Sequence, residues 1–286
     1  MYACRNGHKD VVQLLLDHSK TIDLNTREFL EGWTALMLAC REGHTDVIKL
    51  LLQMSNIELN ARYNYGRTAL MFACSNGHKD VVQLLMEHSE KIDLNARDND
   101  GRTAFMWACR EGHTDVVQLL LQMSNIELNA RNNYGWTAFM WACINGHKDV
   151  VKLLLEHSDP RIEVNAKNDF GYTPFIEACR NGHKDVVQLL LDNSERIELN
   201  ARSNNGNTAF MIACYNGHKD VVQLLLDHSK RIELNARCNS GETAFMQACL
   251  NGRKDVVKLF LDHPDTSIDL NAKSNSGETA LMFAFQ

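Results

Sequence analysis

Arg102-Thr103-Ala104-Phe105-Met106-Trp107-Ala108-Cys109-Arg110-Glu111-Gly112-His113-Thr114-Asp115-Val116-Val117-Gln118-Leu119-Leu120-Leu121 is the stretch that decides the fold, because the rest of the chain repeats it with small changes. The glycine before its histidine recurs as Gly7, Gly43, Gly77, Gly112, Gly146, Gly182, Gly217 and Gly252, at intervals of 36, 34, 35, 34, 36, 35 and 35 residues. A period near 35 is too long for a coiled-coil heptad and too short for a domain; it marks stacked supersecondary units.

One unit can be read residue by residue. Asn99-Asp100-Gly101 is a turn signal. Thr103 is placed to cap a short helix over Ala104 to Glu111, which Gly112 ends in the left-handed conformation. A second helix opens near Thr114, with Asp115 in its first turn beside the exposed amides. Val116, Val117, Leu119, Leu120 and Leu121 form an apolar band wider than one stripe, so this helix must be covered on more than one side. Ile126 to Ala130 reads as a short extended segment leading to the next turn. Both helices fall short of the roughly 12–15 residues at which an isolated helix becomes marginally stable. A single unit cannot bury its band, whereas a stack can.

The pattern in Asp100-Gly101-Arg102-Thr103-Ala104-Phe105-Met106, Ala108-Cys109, Gly112-His113, Val116-Val117, Leu119-Leu120-Leu121 and Leu128-Asn129-Ala130 resembles the ankyrin repeat family over the whole chain. The family's Thr-Pro-Leu-His appears here as Thr-Ala-Phe-Met or Thr-Ala-Leu-Met, with proline kept only at Pro174. The resemblance implies a mainly α fold: an ankyrin-type solenoid of helix-turn-helix repeats with short β-hairpin-like loops, classed α+β in some schemes. The expected organisation is one array. A partial repeat at 1–26 precedes full repeats at 27–61, 62–96, 97–130, 131–166, 167–201, 202–236 and 237–272, and a partial repeat at 273–286 closes it. At about 10 Å per repeat, such an array spans on the order of 70–80 Å. Both ends stop inside a repeat, which leads us to expect a piece of a longer array or a truncated gene product.

Composition narrows the function. The 286 residues carry a formal charge of −6 with no basic block, which argues against nucleic acid as a partner. No apolar run approaches 18 residues, so membrane insertion is not expected. Eight of the nine cysteines sit one repeat apart, from Cys4 to Cys249. Helices stacked about 8–10 Å apart hold such cysteines beyond disulfide reach. They read as small apolar fillers of an intracellular protein, the cytoplasm being the first expectation and the nucleus the second. Cys238, in a turn, is expected to be exposed and reactive.

Cys40/His44, Cys74/His78 and Cys109/His113 each span a helix-ending glycine, and none completes a four-ligand set, so no metal and no cofactor are expected. These histidines instead suit backbone hydrogen bonds, and Arg253 replaces one of them. A second set, His18, His88, His157, His228 and His263, follows the second helices, where a ring meets solvent or the negative end of the helix. No unique nucleophile–base pair stands out, so no enzyme is expected. Hydroxylation of Asn60, Asn95, Asn129, Asn200 or Asn235 is implied only by the resemblance; the same asparagines are expected to bridge turns.

Positions that stay fixed hold the stack, and positions that vary are free to face a partner. Four columns vary: those before and after the turn glycine, the one after the methionine and the one after the cysteine. They contain all four tryptophans and five of the six tyrosines. The resemblance puts them on the concave face. The candidate contacts are Tyr65, Arg67, Arg102, Trp107, Arg110, Tyr134, Trp136, Trp141, Phe170, Tyr172, Arg180 and Tyr215, a groove over roughly 65–215. Trp, Tyr and Arg combine large area with a polar handle. The expected function is non-catalytic binding by a monomer of a partner protein or an extended peptide. The alternatives are a structural spacer in a larger scaffold, or the substrate-recruiting arm of a ubiquitin ligase or effector.

Overall fold

A computed structural model of the chain describes residues 1–18, 22–157, 162–263 and 268–284; the two loop prolines Pro160 and Pro264 lie outside the described residues. It divides into two compact units, Met1–Asn133 and Tyr134–Gln286. The first unit holds α1 (Tyr2–Arg5), α2 (Lys9–Asp17), α3 (Ala35–Glu42), α4 (Thr45–Leu52), α5 (Ala69–Ser75), α6 (Lys79–Met86), α7 (Ala104–Glu111) and α8 (Thr114–Leu120). The second holds α9 (Ala138–Ile144), α10 (Lys148–Glu156), α11 (Pro174–Arg180), α12 (Lys184–Asp192), α13 (Ala209–Asn216), α14 (Lys219–Asp227), α15 (Ala244–Leu250), α16 (Lys254–Asp262) and α17 (Ala280–Phe283). Within each unit, first helices pack on first helices, second on second, and the two helices of a repeat on each other.

The helices begin where side chains can cap them. Thr103 Oγ1 accepts the Met106 amide at 3.3 Å, and Thr34, Thr68, Thr137, Thr173, Thr208 and Thr243 repeat the bond. In the later repeats the methionine answers: the Thr208 and Thr243 amides reach Met211 and Met246 Sδ at 3.5 and 3.4 Å. Pro174 takes the first helical position of α11, where no amide is needed.

The apolar band is buried at its centre, while Leu119 and Leu121 at its margins are half-buried. Val116, Val117 and Leu120 are fully enclosed, as are Val150, Val151 and Leu154 in the second unit. Truncating one such leucine to alanine typically costs about 2–5 kcal/mol, so these layers dominate the stability of a stack.

Directional bonds then fix the register. The ring of each helix-2 histidine donates from Nε2 to a carbonyl of the preceding repeat: His44 to Arg5 O at 2.7 Å, His78 to Arg41 O at 2.8 Å, His183 to Ile144 O at 2.6 Å and His218 to Arg180 O at 2.8 Å. Arg253 replaces the imidazole with Nε donating to Tyr215 O at 2.9 Å. The ring lies where a side chain on the previous glycine would stand. A Cβ on Gly43 would meet His78 Nδ1 at 2.7 Å, and the residue has φ +80°. The loop asparagines bridge as expected: Asn60 donates to Lys91 O at 2.7 Å and accepts the Asp93 amide at 2.9 Å, and Asn165 and Asn200 do the same in the second unit. In the second histidine set, His18 and His228 bring Nδ1 to Leu14 O and Leu224 O at 2.9 and 2.8 Å, the helix-end interaction foreseen for them.

Two expectations need correction. Ile126 to Ala130 is not extended; it folds as a turn, with the Ala130 amide reaching Glu127 O at 3.3 Å. Bridging asparagines demand a loop carbonyl and a loop amide together, which a tight turn presents and a strand does not. Cys238 is half-buried rather than open, its Sγ 3.0 Å from Ser240 Oγ. The hairpin-like loops are present without strands among the described residues. Tyr63 N bonds Arg67 O and Asp98 N bonds Arg102 O, each at 2.9 Å, too few bonds for a ladder.

Two outcomes follow from this architecture. Gly43→Ala loses more stability in urea than Gly252→Ala, by about 1–2 kcal/mol. Both have positive φ, but only Gly43 faces a ring, and nothing lies within 4 Å of a Cβ at Gly252. A thiol-specific disulfide reagent in native buffer reacts at Cys238 first. The seven buried column cysteines, among which burial pushes the Cys40, Cys74, Cys109 and Cys179 thiols well up, react only as the chain unfolds.

Candidate partner-binding face

The four variable columns adjoin one another within each unit, because turn side chains reach across to first-helix side chains. In the first unit Arg67 Nη2 donates to Ser75 Oγ, and Arg102 and Arg110 both cover the Trp107 ring. In the second, Trp136 stacks on Trp141 at 5.0 Å, Arg180 lies over Tyr172 at 5.5 Å, and Gln247 donates to Asn207 at 2.8 Å.

Exposure then sorts the columns. The position before the turn glycine is open throughout; Tyr65 is 66% exposed, Tyr134 56% and Phe170 55%. Tyr215 and Arg180, at the ends of first helices, are also open. Arg67, Arg102, Arg110, Trp136, Trp141 and Tyr172 are half-buried. The column after the methionine is largely interior, with Phe72, Trp107, Glu177, Ile212 and Gln247 buried. Trp107, expected at the contact surface, lies buried beneath it. Its indole donates to Asp98 Oδ2 at 3.1 Å, and Arg67, Arg102 and Arg110 close over the ring at 4.1, 4.4 and 4.8 Å.

Sequence reasoning passed over several members of this face. Tyr63 lies outside the columns, yet it sits 4.6 Å from Trp33, 5.3 Å from Tyr65 and 5.7 Å from Phe72. Arg41 covers Trp33 at 5.2 Å. The turn asparagines form a ladder that holds the tips in line. Asn64 donates to Leu30 O at 2.9 Å and Asn99 to Asn64 O at 3.1 Å; Asn204 and Asn239 extend the same bond in the second unit at 2.9 and 3.0 Å. Their recurrence two residues before Gly66, Gly101, Gly135, Gly206, Gly241 and Gly277 was the available signal.

The charged groups are unevenly compensated. Arg102 is saturated by Asp98 Oδ2 at 3.0 Å and by Asp100. Glu177 is fully enclosed; Asn168 donates to it at 3.2 Å and Arg180 pairs with it at 3.4 Å. Burial pushes its carboxyl up from the usual carboxylate range, and Arg180 only partly offsets that.

A family model described as ankyrin repeats in three copies matches residues 1–98, 54–132, 90–168, 160–238 and 230–286. The chain belongs to the ankyrin repeat family. A search of curated proteins returned no match. Ankyrin repeats are generally protein–protein interaction modules, typically without catalytic activity. Among the described residues no group of three or more His, Cys, Asp or Glu side chains could hold a metal ion, and no helix is long and apolar enough to cross a membrane.

Glu177 gives a pH test. A carboxyl that binds its proton more tightly when folded destabilises the fold once pH rises above its unfolded value, and that penalty grows until the folded value is passed. Glu177→Gln keeps the acceptor for Asn168 and removes the charge. Thermal melts should show the variant gaining stability relative to the parent at pH 8, with the gain shrinking toward pH 4.

Proposed function

We propose that this ankyrin repeat chain binds a partner protein through the face built from its turn tips and first helices. The partner engages an extended segment or the side of a domain along Tyr65, Arg67, Arg102 and Arg110 in the first unit and Tyr134, Trp136, Phe170, Tyr172, Arg180 and Tyr215 in the second. Trp107 and Trp141 act beneath this surface as supports. One observation carries the reading: the tip position that varies most freely between repeats is also the one left in solvent, and there it is aromatic in Tyr65, Tyr134 and Phe170. An aromatic more than half exposed costs solubility beyond what its ring neighbours need, so a contact is its best account. Nothing in the face suggests bond-making chemistry; its groups offer area, hydrogen bonds and charge.

The test compares proteins captured by the wild-type chain, by a Tyr134→Ala/Phe170→Ala double variant, and by Lys152→Ala on the second-helix side. Lys152 is solvent-exposed, as are both aromatics. Each hot-spot aromatic removed weakens binding by about 2 kcal/mol, roughly thirtyfold. A partner kept by Lys152→Ala and lost from the double variant is the expected outcome, with unchanged circular dichroism in all three. Equal retention by the double variant would overturn the assignment of the face. Capture of nothing by the wild-type chain would favour a spacer.

A further inference from the structure

The first unit contains a continuous run of alternating rings and guanidinium groups. Tyr65, Tyr63, Trp33 and Phe72 form its aromatic half, with centroid separations of 4.5–5.7 Å. Arg67 then inserts between two rings, its Cζ 4.3 Å from the Phe72 centroid and 4.1 Å from that of Trp107. Arg41 and Arg110 lie on the flanking indoles.

Arg67 differs from its neighbours in what compensates it. Its Nη2 donates to Ser75 Oγ and reaches Met71 O at 3.5 Å, while its Nε is buried with no hydrogen-bond partner. Among the described residues no carboxylate pairs with it. Arg41 and Arg110 pair with their sequence neighbours Glu42 and Glu111, at 3.7 and 3.8 Å, in exposed or half-exposed pairs. Such pairs contribute little and exchange easily. Burial pulls the Arg67 guanidinium down to about 10, with Asp98 partly offsetting that.

A guanidinium held between two aromatic faces keeps its plane fixed; with Nη2 on Ser75 and Nε enclosed, Nη1 is the charged donor left for an incoming carboxylate. Packing alone does not need the charge. A methionine would fill the slot between Phe72 and Trp107 without desolvating a cation.

We infer that Arg67, flanked by Arg41 and Arg110, is a docking point for an Asp or Glu side chain of an extended acidic segment in the partner protein, with exposed Tyr65 taking an apolar neighbour. This rests on the proposed binding face and specifies its ligand chemistry on the first unit. The chain as a whole is acidic, so an arginine with no ion-paired carboxylate is a local exception that selects for the opposite charge.

The test is selection of a random 12-residue peptide display library on the full chain, followed by titration of the best synthetic peptide against wild type, Arg67→Met, Arg110→Gln and Tyr65→Ala. The expected peptides are enriched in Asp or Glu. Their affinity falls at least tenfold in Arg67→Met and severalfold in Arg110→Gln, and it weakens with added salt. The melting temperature of Arg67→Met is equal to the parent's or higher, which a merely structural arginine would not give. Peptides without acidic enrichment that are still lost in Tyr65→Ala would overturn the carboxylate assignment and leave the binding face standing. Peptides insensitive to all three substitutions would overturn both. No enriched peptide, or displacement of the acidic peptide by an equal concentration of a single-stranded oligonucleotide, also overturns the inference, the latter by showing attraction to any polyanion.

Discussion

The joint between a glycine and the next repeat's imidazole is the constraint on which each unit depends. Gly43 must adopt φ +80° to end α3, and only an absent side chain leaves the space that the His78 ring fills. That ring then donates to Arg41 O, one of the carbonyls that a helix end leaves without an internal partner. A single short-range event therefore stops one helix, starts the next repeat's second helix and sets the distance between them. The same geometry at Gly7, Gly77, Gly146 and Gly182 makes the period of about 35 residues a physical requirement rather than a habit of the sequence. At Gly217 the Arg253 side chain performs the same task with a different donor, which shows that the carbonyl's need, not the imidazole, is the invariant.

Because stacking is discharged by the glycine, the ring, the two asparagine sets and the Val/Leu layers, the turn tips are left without a structural duty. Tyr65, Tyr134 and Phe170 occupy a position whose backbone is held by the neighbouring tip: the Asn99, Asp169 and Asn204 amides reach the carbonyls of Tyr65, Tyr134 and Phe170 at 3.0–3.2 Å. Their side chains can change without disturbing that bond. A rigid tip with a solvent-exposed side chain is a preorganised contact, and preorganisation lowers the entropy lost on binding.

The fold was legible because it is local and repeated. Thr103, Gly112 and Asp115 each announce a helix boundary with a known mechanism, and α7 runs from Ala104 to Glu111 as those signals require. What the pattern hid was anything that depends on two repeats at once. Ile126 to Ala130 looked extended because its apolar and polar residues alternate, and the turn it adopts is dictated by the asparagine of the repeat before: the Glu127 amide bonds Asn95 Oδ1 at 2.9 Å. Trp107 looked available because its column varies. Its burial comes from Arg67, 40 positions earlier, lying over its ring. Variation at a position shows that its identity is unconstrained by the stack, not that it is in water, and Glu177 and Trp107 in one interior column make the distinction plain.

That distinction also bears on why a charged residue occupies the slot between Phe72 and Trp107. The homologous turn position carries Trp33, Trp136, Tyr172 and Asn207 in other repeats, so the fold accepts neutral residues there. A guanidinium at the same place gives up hydration, leaves Nε without an acceptor and meets two cations on the shared ring. Ring contacts return part of that loss, since a desolvated cation–π pair contributes about 2 kcal/mol. Arg102 has one such ring contact, on Trp107, and two carboxylates besides. The two arginines thus sit on one indole with opposite electrostatic balances. Arg102 pairs with carboxylates of its own chain, whereas Arg67 has no such pair among the described residues and keeps Nη1 for a carboxylate from outside.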